Sequence, residues 1–281
     1  MIRKTIHIQN NSKEDINIDL RHREDAKSAP AIIIVHGFKG FKDFAFFPDL
    51  SHRLSMAGYV TITANFSRNG IAYDHNTFEN LDKFAENTIS HELNDLQAII
   101  NNIKEQNIAK RTIDLDRLAL LGHSKGGGIC ILKAAELGDD IKCIVTWGSV
   151  NTFSRFNDEQ IKTWEKGGVV KVENKRTKQL MPINKTFWED YTKNKDKFDI
   201  LKAASKIDNP ALFIHGDSDE TVASTESEAI HKECSAYVKR LELVEGASHT
   251  FGISHPFDIP TEEYQTACLL TENWFDNYLN I

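Results

Sequence analysis

The sequence lacks the segments that mark membrane and secreted proteins. None of its apolar runs approaches the roughly 20 residues that a transmembrane helix needs. Its N-terminal stretch, Met-Ile-Arg-Lys-Thr-Ile-His-Ile, has neither the long apolar core nor the small-residue cleavage site of a secretory signal peptide. We therefore expect a protein that has no membrane partner.

Cysteine is also scarce, with four residues in a chain of 281. Cys130, Cys143, Cys234 and Cys268 are widely spaced, and no two of them form a Cys-x-x-Cys pair. This spacing argues against a zinc site and against a disulfide framework. The sequence predicts buried free thiols in a reducing compartment, and therefore the cytoplasm.

The chain has no excess of positive charge. It has 34 Lys and Arg against 41 Asp and Glu, a formal net charge of −7. Nucleic acids and anionic membranes attract basic surfaces, so we expect neither as the main partner. The group Lys171, Lys175, Arg176 and Lys178 is a local exception, which we interpret as the solvated face of a hairpin. The sequence is compatible with a monomer or a homodimer.

Short apolar runs alternate with amphipathic helical patterns along most of the chain. The runs are nearly continuous in apolar residues, which is typical of strands buried on both faces of a parallel sheet. The alternation predicts an α/β fold with a mostly parallel, doubly wound sheet and helices on both faces. The predicted strands are 31–35, 59–64, 118–121, 143–147, 211–215 and 240–244, after an edge hairpin of 5–8 and 16–20. The predicted helices are 47–57, 87–104, 125–137, 224–234 and 262–278.

Residues 150–208 interrupt this alternation. They are too long for a simple crossover, rich in charge and rich in aromatic residues. Within them, 169–173 and 179–182 resemble the two strands of a hairpin. We expect a single domain over 1–281 in which 150–208 form a lid over the end of the sheet. The alternative is ordinary packing with no role in ligand binding.

The strongest chemical motif is Gly-x-Ser-x-Gly, present as Gly122-His-Ser-Lys-Gly126. An apolar strand ends at this motif and a helix follows it, so the serine is expected on a sharp, strained turn with its oxygen exposed. Serine is a poor nucleophile at neutral pH and needs a base, usually a histidine that a carboxylate orients. We predict that Ser124 is the nucleophile of an acyl-transfer reaction.

The acid and the base are expected on loops that follow later strands, because the carboxyl ends of parallel strands meet at one edge of the sheet. Asp219 follows the strand at 211–215 and is the predicted acid. Asp217, which is closer to the turn, is its rival. His249 follows the strand at 240–244 in a loop of small residues and is the predicted base, with His255 as its rival.

An acyl-transfer site also needs N–H donors for the oxyanion. The N–H of Lys125 is one predicted donor, because it lies at the start of a helix where the dipole favours negative charge. The N–H of Phe38 is the other, in the glycine-containing loop 36–40 after the first buried strand.

Together these motifs resemble those of the α/β-hydrolases, nearest to the dienelactone hydrolase, prolyl-oligopeptidase-like and cinnamoyl or feruloyl esterase branches. The shared features are His36-Gly37-Phe38, Gly122-His-Ser-Lys-Gly126, His215-Gly-x-x-Asp219-x-x-Val222 and the loop that holds His249. The resemblance implies an α/β-hydrolase fold with Ser124 as nucleophile, Asp219 as acid and His249 as base. It also implies no metal and no organic cofactor.

We therefore expect a serine hydrolase that cleaves a small carboxylic ester through an acyl-enzyme on Ser124. A peptidase, a thioesterase or an acyltransferase with the same triad is an alternative, as is a non-catalytic binding protein on this fold. The aromatic residues around the lid favour a small apolar or aromatic substrate. The predicted substrate contacts are Trp147, Phe153, Trp164, Phe187 and Trp188.

Overall fold

An eight-stranded sheet forms the centre of the protein. The computed structural model describes residues 1–71 and 78–279. The strands are β1 (Ile2–Gln9), β2 (Asp15–His22), β3 (Ala29–Val35), β4 (Val60–Asn65), β5 (Ile113–His123), β6 (Cys143–Trp147), β7 (Val170–Asn174), β8 (Gln179–Ile183), β9 (Ala211–Gly216) and β10 (Lys239–Val244). The sheet order is β1-β2-β4-β3-β5-β6-β9-β10. Strand β2 pairs antiparallel with β1 and β4, and the other pairs in this sheet are parallel.

Helices cover both faces of the sheet. The α-helices of the described residues are α1 (Phe47–Met56), α2 (Leu81–Ala85), α3 (Ile89–Lys104), α4 (Lys125–Leu137), α5 (Asp158–Glu165), α6 (Lys185–Lys193), α7 (Ile200–Ala204), α8 (Ser224–Glu233) and α9 (Glu262–Leu279). Apolar residues of α1 and α9 pack together on one face. Residues of α3, α4, α7 and α8 pack on the other face. The predicted α/β class with a mostly parallel, doubly wound sheet is therefore confirmed.

The apolar runs are buried for the reason that the sequence suggests. Strands β3, β4, β6 and β9 are buried at every residue, because helices cover both of their faces. The predicted long helices and strands are present, with ends that differ by a few residues and a longer β5. The first two strands form the predicted antiparallel hairpin.

Residues 150–208 contain more helix than the sequence patterns indicated. The predicted hairpin is present as the antiparallel pair of β7 and β8. The short helices α5, α6 and α7 flank it and were not predicted. They are too short and too charged to show a clear apolar period, and tertiary packing holds them, as at the fully buried Trp164.

All four cysteines are buried free thiols, as predicted. Burial raises the pKa of Cys130 and Cys143, so these thiols are not reactive thiolates. In residues 1–71 and 78–279, none of the helices combines the length and the apolar character that crossing a bilayer requires.

Candidate active site

Ser124 lies on a strained turn between β5 and α4. Its backbone has φ 57° and ψ −123°, which few residues other than glycine adopt. Two glycines make the turn possible. A Cβ on Gly122 would lie 2.3 Å from the carbonyl oxygen of Gly126, and a Cβ on Gly126 would lie 2.4 Å from that of Val35. The motif therefore needs glycine at both positions because the backbones approach too closely for a side chain.

The neighbouring strand holds this turn in place. The N–H of Ser124 donates to the carbonyl oxygen of Trp147 at 2.8 Å, beyond the end of the β5–β6 ladder. The N–H of Gly127 donates to the carbonyl oxygen of Ser124 at 3.0 Å. The serine side chain faces a cavity at the carboxyl edge of the sheet. Its backbone is thus fixed while its hydroxyl remains accessible.

Asp219 and His249 form a hydrogen-bonded pair beside this turn. Asp219 follows β9, and His249 follows β10. Nδ1 of His249 lies 2.7 Å from Oδ2 of Asp219. The aspartate side chain is fully buried, whereas the histidine side chain is 17% exposed. Because Nδ1 faces the carboxylate, Nε2 is left for a substrate or a nucleophile.

Three N–H groups donate to the Asp219 carboxylate, and the His215 ring, whose Nε2 donates to the carbonyl oxygen of Val222 at 2.9 Å, lies close to it. Oδ1 accepts the N–H groups of Thr221 and Val222 at 2.8 and 2.9 Å. Nε2 of His215 lies 3.3 Å from Oδ2, the oxygen that His249 also contacts. Burial alone would raise the pKa of Asp219, but the interactions with His215 and His249 outweigh it and hold this pKa well below its usual range. These interactions therefore stabilise the charged form of the carboxylate.

The alternative acid, Asp217, and the alternative base, His255, do not lie beside Ser124. The carboxylate of Asp217 accepts the N–H of Gly246 at 2.8 Å and is exposed, as in a turn-capping aspartate. Nδ1 of His255 accepts the N–H of Ala45 at 3.0 Å, and its ring packs on Phe44. Of the four candidates, only Asp219 and His249 form a pair next to Ser124.

Ser124 and His249 line the same cavity. The described part of the chain contains no hydrogen bond between the serine hydroxyl and this histidine, which is common in a site without substrate. His123 supports the arrangement from behind. Its Nε2 lies 2.9 Å from the carbonyl oxygen of His249, and the two rings are 4.6 Å apart. Burial, together with the nearby His249, lowers the pKa of His123 to about 3, so His123 is neutral and donates from Nε2.

The predicted oxyanion donors flank the serine. Lys125 begins α4, and the first N–H groups of a helix have no partner within it. The loop after β3 approaches from the other side. A Cβ on Gly37 would lie 2.9 Å from Cβ of Ser124, which brings the Gly37–Phe38 backbone against the serine. In the described residues, neither the Phe38 N–H nor the Lys125 N–H donates to another protein atom.

The cavity has a volume of about 420 Å³ and is mainly aromatic and aliphatic. Phe153 and Phe187, two of the predicted substrate contacts, line it. Other apolar residues on its wall were not among the predicted substrate contacts. They are Phe44, Phe47, Val150, Phe156, Val172, Ile183 and Val222.

The three predicted tryptophans do not line this cavity. Trp147 is fully buried against α9, where its Nε1 donates to Thr271 at 2.9 Å. Nε1 of Trp164 donates to the carbonyl oxygen of Ile183 at 2.8 Å, inside the insertion. Trp188 stacks on Trp164 at 5.8 Å. For Trp147 and Trp164 the indole N–H groups fix this placement, because a buried indole needs an acceptor.

No three His, Cys, Asp or Glu side chains within the described ranges are grouped so that they could hold a metal ion.

Residues 19–167 match the model of the dienelactone hydrolase family, which is more than half of the chain. The chain belongs to the dienelactone hydrolase family. Residues 108–250 also match a model described as the C-terminal part of BAAT and acyl-CoA thioester hydrolases. This dienelactone hydrolase family member is thus a hydrolase of the α/β-hydrolase fold. No sequence among curated proteins matches it.

Solved structures share the fold of this family member at low sequence identity. Est1E from Butyrivibrio proteoclasticus with ferulic acid bound has a TM-score of 0.73 at 18% identity, covering 98% of this chain and 100% of that one. Dienelactone hydrolase from Anabaena variabilis has a TM-score of 0.63 at 15% identity, covering 99% and 98%. A putative dipeptidyl aminopeptidase IV from Bacteroides ovatus has a TM-score of 0.70 at 15% identity, covering 99% of this chain but 36% of that one.

Sequence reasoning missed several polar residues around the site of this hydrolase. His215 contacts Asp219, and its place in the His-Gly-x-x-Asp motif was the available signal. His123 was visible only as the residue before Ser124. Asn174 and Arg176 lie at the hairpin turn and line the cavity. Their sequence context is that of an ordinary solvated turn, so nothing in the sequence indicated that they face the cavity.

Proposed function

We propose that this dienelactone hydrolase family member hydrolyses small carboxylic esters through an acyl-enzyme on Ser124. Asp219 orients His249, and His249 is the general base. The N–H groups of Phe38 and Lys125 are the oxyanion donors. The observation that carries the proposal is the 2.7 Å contact between Asp219 and His249, in a cavity that also contains Ser124 on a strained turn.

The reaction begins when Oγ of Ser124 attacks the ester carbonyl and Nε2 of His249 takes its proton. Two backbone N–H groups hold the negative oxygen, each worth on the order of 3 kcal/mol, or about a hundredfold in rate. The intermediate collapses, and the leaving alcohol takes the proton from His249. Water then loses a proton to His249 and attacks the acyl carbon. The bond between this carbon and Oγ breaks, Oγ takes the proton back from His249, and the carboxylic acid leaves.

The cavity supports an apolar or aromatic acyl group as the preferred substrate. Phe153 and Phe187 come from 150–208, and the cavity wall there is apolar. Est1E, which shares the fold, binds ferulic acid, an aromatic acid. In this proposal residues 150–208 act as a lid that shapes the acyl pocket.

Labelling with a fluorophosphonate probe tests the nucleophile. We expect one covalent adduct, which peptide mapping places on Ser124, and a matching loss of p-nitrophenyl butyrate hydrolysis. The strained turn and the adjacent pair of Asp219 and His249 are the physical reason. An unlabelled protein, or an adduct on another serine, would contradict the assignment. The Ser149→Ala variant is the matched control, because Ser149 is buried and its hydroxyl donates to the carbonyl oxygen of Val150.

Shortening the β7–β8 hairpin tests the lid. We expect a changed preference among acyl chains of different size, because Val172, Asn174 and Ile183 are part of the cavity wall. The rate of reaction with a small fluorophosphonate is expected to change much less. A panel of p-nitrophenyl esters of increasing acyl size measures the first quantity. The lid proposal fails if the acyl preference stays that of the full chain.

Thioester hydrolysis is the second candidate, favoured by the match of 108–250 to the acyl-CoA thioester hydrolase model. The same triad cleaves either bond, since the triad sets the chemistry and not the leaving group. Matched oxygen esters and thioesters of one acyl group separate the two. A kcat/KM that is higher for the thioester after correction for intrinsic reactivity would favour the second candidate.

A further inference from the structure

The proposed acyl cavity has an unusual charge balance. The protein as a whole has a net charge of −7. In the described part of the chain the cavity wall contains no Asp or Glu, but it contains four Lys and Arg residues. These are Lys39, Lys125, Arg155 and Arg176. Carboxylates outside the wall neutralise two of them: Glu92 lies 2.8 Å from Lys125, and Glu226 lies 2.7 Å from Arg155.

Arg176 has no such partner. Within the described residues neither Arg176 nor Lys39 forms an ion pair with a carboxylate. The guanidinium of Arg176 lies 5.5 Å from the ring centre of Phe41 and 5.8 Å from that of Phe44. The rings attract the cation but supply no formal counter-charge, and Arg176 itself is exposed to solvent. Partial burial lowers the pKa of Arg176, and burial together with repulsion from Lys175 lowers the pKa of Lys39.

Asn174 adds an unpaired donor next to this cation. Asn174 is 6% exposed and lines the cavity. Its Oδ1 accepts the backbone N–H of Arg176 at 3.2 Å, which fixes the orientation of the amide. Its Nδ2 is buried and has no hydrogen-bond partner in the described structure. Buried polar groups are almost always paired, so an unpaired donor on a cavity wall indicates a ligand atom that accepts from it.

We infer that Asn174 and Arg176 form a subsite for an anionic group of the substrate, a carboxylate or a phosphate remote from the scissile bond. The inference rests on the function proposed for Ser124. A guanidinium donates to two oxygens of such a group, and the amide supplies a further donor. Both residues lie on the β7–β8 hairpin, beyond 19–167, the range that matches the dienelactone hydrolase model, and within 108–250, the range that matches the second model.

Three matched esters test the subsite. They are the methyl esters of cinnamic acids that carry a carboxylate, a phosphate or a neutral carboxamide at the para position. We expect kcat/KM to be about tenfold or more higher for one or both anionic esters than for the neutral ester, as charge-assisted hydrogen bonds imply. The comparison of carboxylate with phosphate identifies the anion. Equal rates for all three esters would overturn the inference.

Two variants locate the effect. Arg176→Gln removes the cation, and Asn174→Asp keeps the oxygen that the Arg176 N–H needs while replacing the free donor. Each is expected to reduce the ratio of anionic to neutral kcat/KM by about tenfold to a hundredfold. The control is Lys178→Gln, which removes the same charge from the same turn. Lys178 is 76% exposed and pairs with Glu173, so the ratio is expected to stay unchanged.

If Arg176→Gln and Lys178→Gln reduced the ratio of anionic to neutral kcat/KM equally, the preference would arise from long-range charge. This result would overturn the subsite. Thermal melting shows whether each variant is folded. Calorimetric binding of para-carboxycinnamate, the hydrolysis product, supplies a readout that needs no catalysis. Binding that depends on Arg176 in a protein that hydrolyses no ester would refute the proposed function and keep the subsite. Ester hydrolysis with no preference for the anionic esters would support the proposed function and refute the subsite.

Discussion

Replacing Ser124 or His249 by alanine is expected to lower kcat for p-nitrophenyl acetate by about 10⁵- to 10⁶-fold. In the proposed mechanism both residues act in the same step, because the hydroxyl attacks only as the imidazole takes its proton. The double variant should therefore lose no more than either single variant. Steady-state rates of the two single variants and the double variant, corrected for spontaneous hydrolysis, measure this.

The control for this prediction is His255→Asn. His255 follows His249 closely in the chain, but its Nδ1 accepts the N–H of Ala45, and asparagine also supplies an acceptor. Its substitution should leave the rate near that of the unmodified protein. If His255→Asn lost activity while His249→Ala retained it, the base would be His255. If the single losses multiplied in the double variant, Ser124 and His249 would not act as one unit.

The turn at Ser124 was predictable because its requirements are local. Gly122 and Gly126 are needed where backbones come within the reach of a single Cβ, and the following helix start supplies the free N–H. The order of strands then predicts which loops meet. Since β3, β5, β9 and β10 run parallel in one sheet, the loops after them share an edge, and Asp219 and His249 lie on two of those loops.

The tryptophans show where such reasoning fails. Trp147 ends a strand that is buried on both faces, so its sequence context does not indicate which face its side chain takes. The structure places it against α9, where Thr271 offers an acceptor for the indole N–H. Aromatic content therefore predicted an apolar pocket without predicting its walls. Which aromatic residue faces the cavity depends on contacts between elements far apart in the chain.

The hairpin shows the same limit for charged residues. Lys171, Lys175, Arg176 and Lys178 are all exposed, as expected for a solvated face. The guanidinium of Arg176 also lies over two phenylalanine rings from the loop after β3. That loop is more than a hundred residues away in the chain. A local charge pattern cannot distinguish one arginine of the group from its neighbours, because only the tertiary contact does so.

Replacing Asp219 by asparagine is expected to lower kcat by about 10⁴-fold. The Asp219 carboxylate accepts from Nδ1 of His249, so it holds the proton on Nδ1 and leaves Nε2 free to act as the base. An amide can donate to Nδ1 instead and stabilise the wrong tautomer. Because its hydrogen bonds hold the pKa of Asp219 well below its usual range, the carboxylate is charged throughout the active pH range. The loss is therefore expected at every pH at which the unmodified protein is active.

Asp217→Asn is the matched control, since it makes the same chemical change two residues earlier. Asp217 accepts the N–H of Gly246 and does not contact His249, so its loss should affect stability slightly and kcat little. Rates and melting temperatures of both variants separate catalysis from folding. A larger loss of kcat in Asp217→Asn than in Asp219→Asn would show that Asp217 is the orienting acid. Equal melting temperatures with a rate lost only in Asp219→Asn would assign Asp219 to the base it contacts, because asparagine keeps the oxygen that holds the loop at Thr221 and Val222.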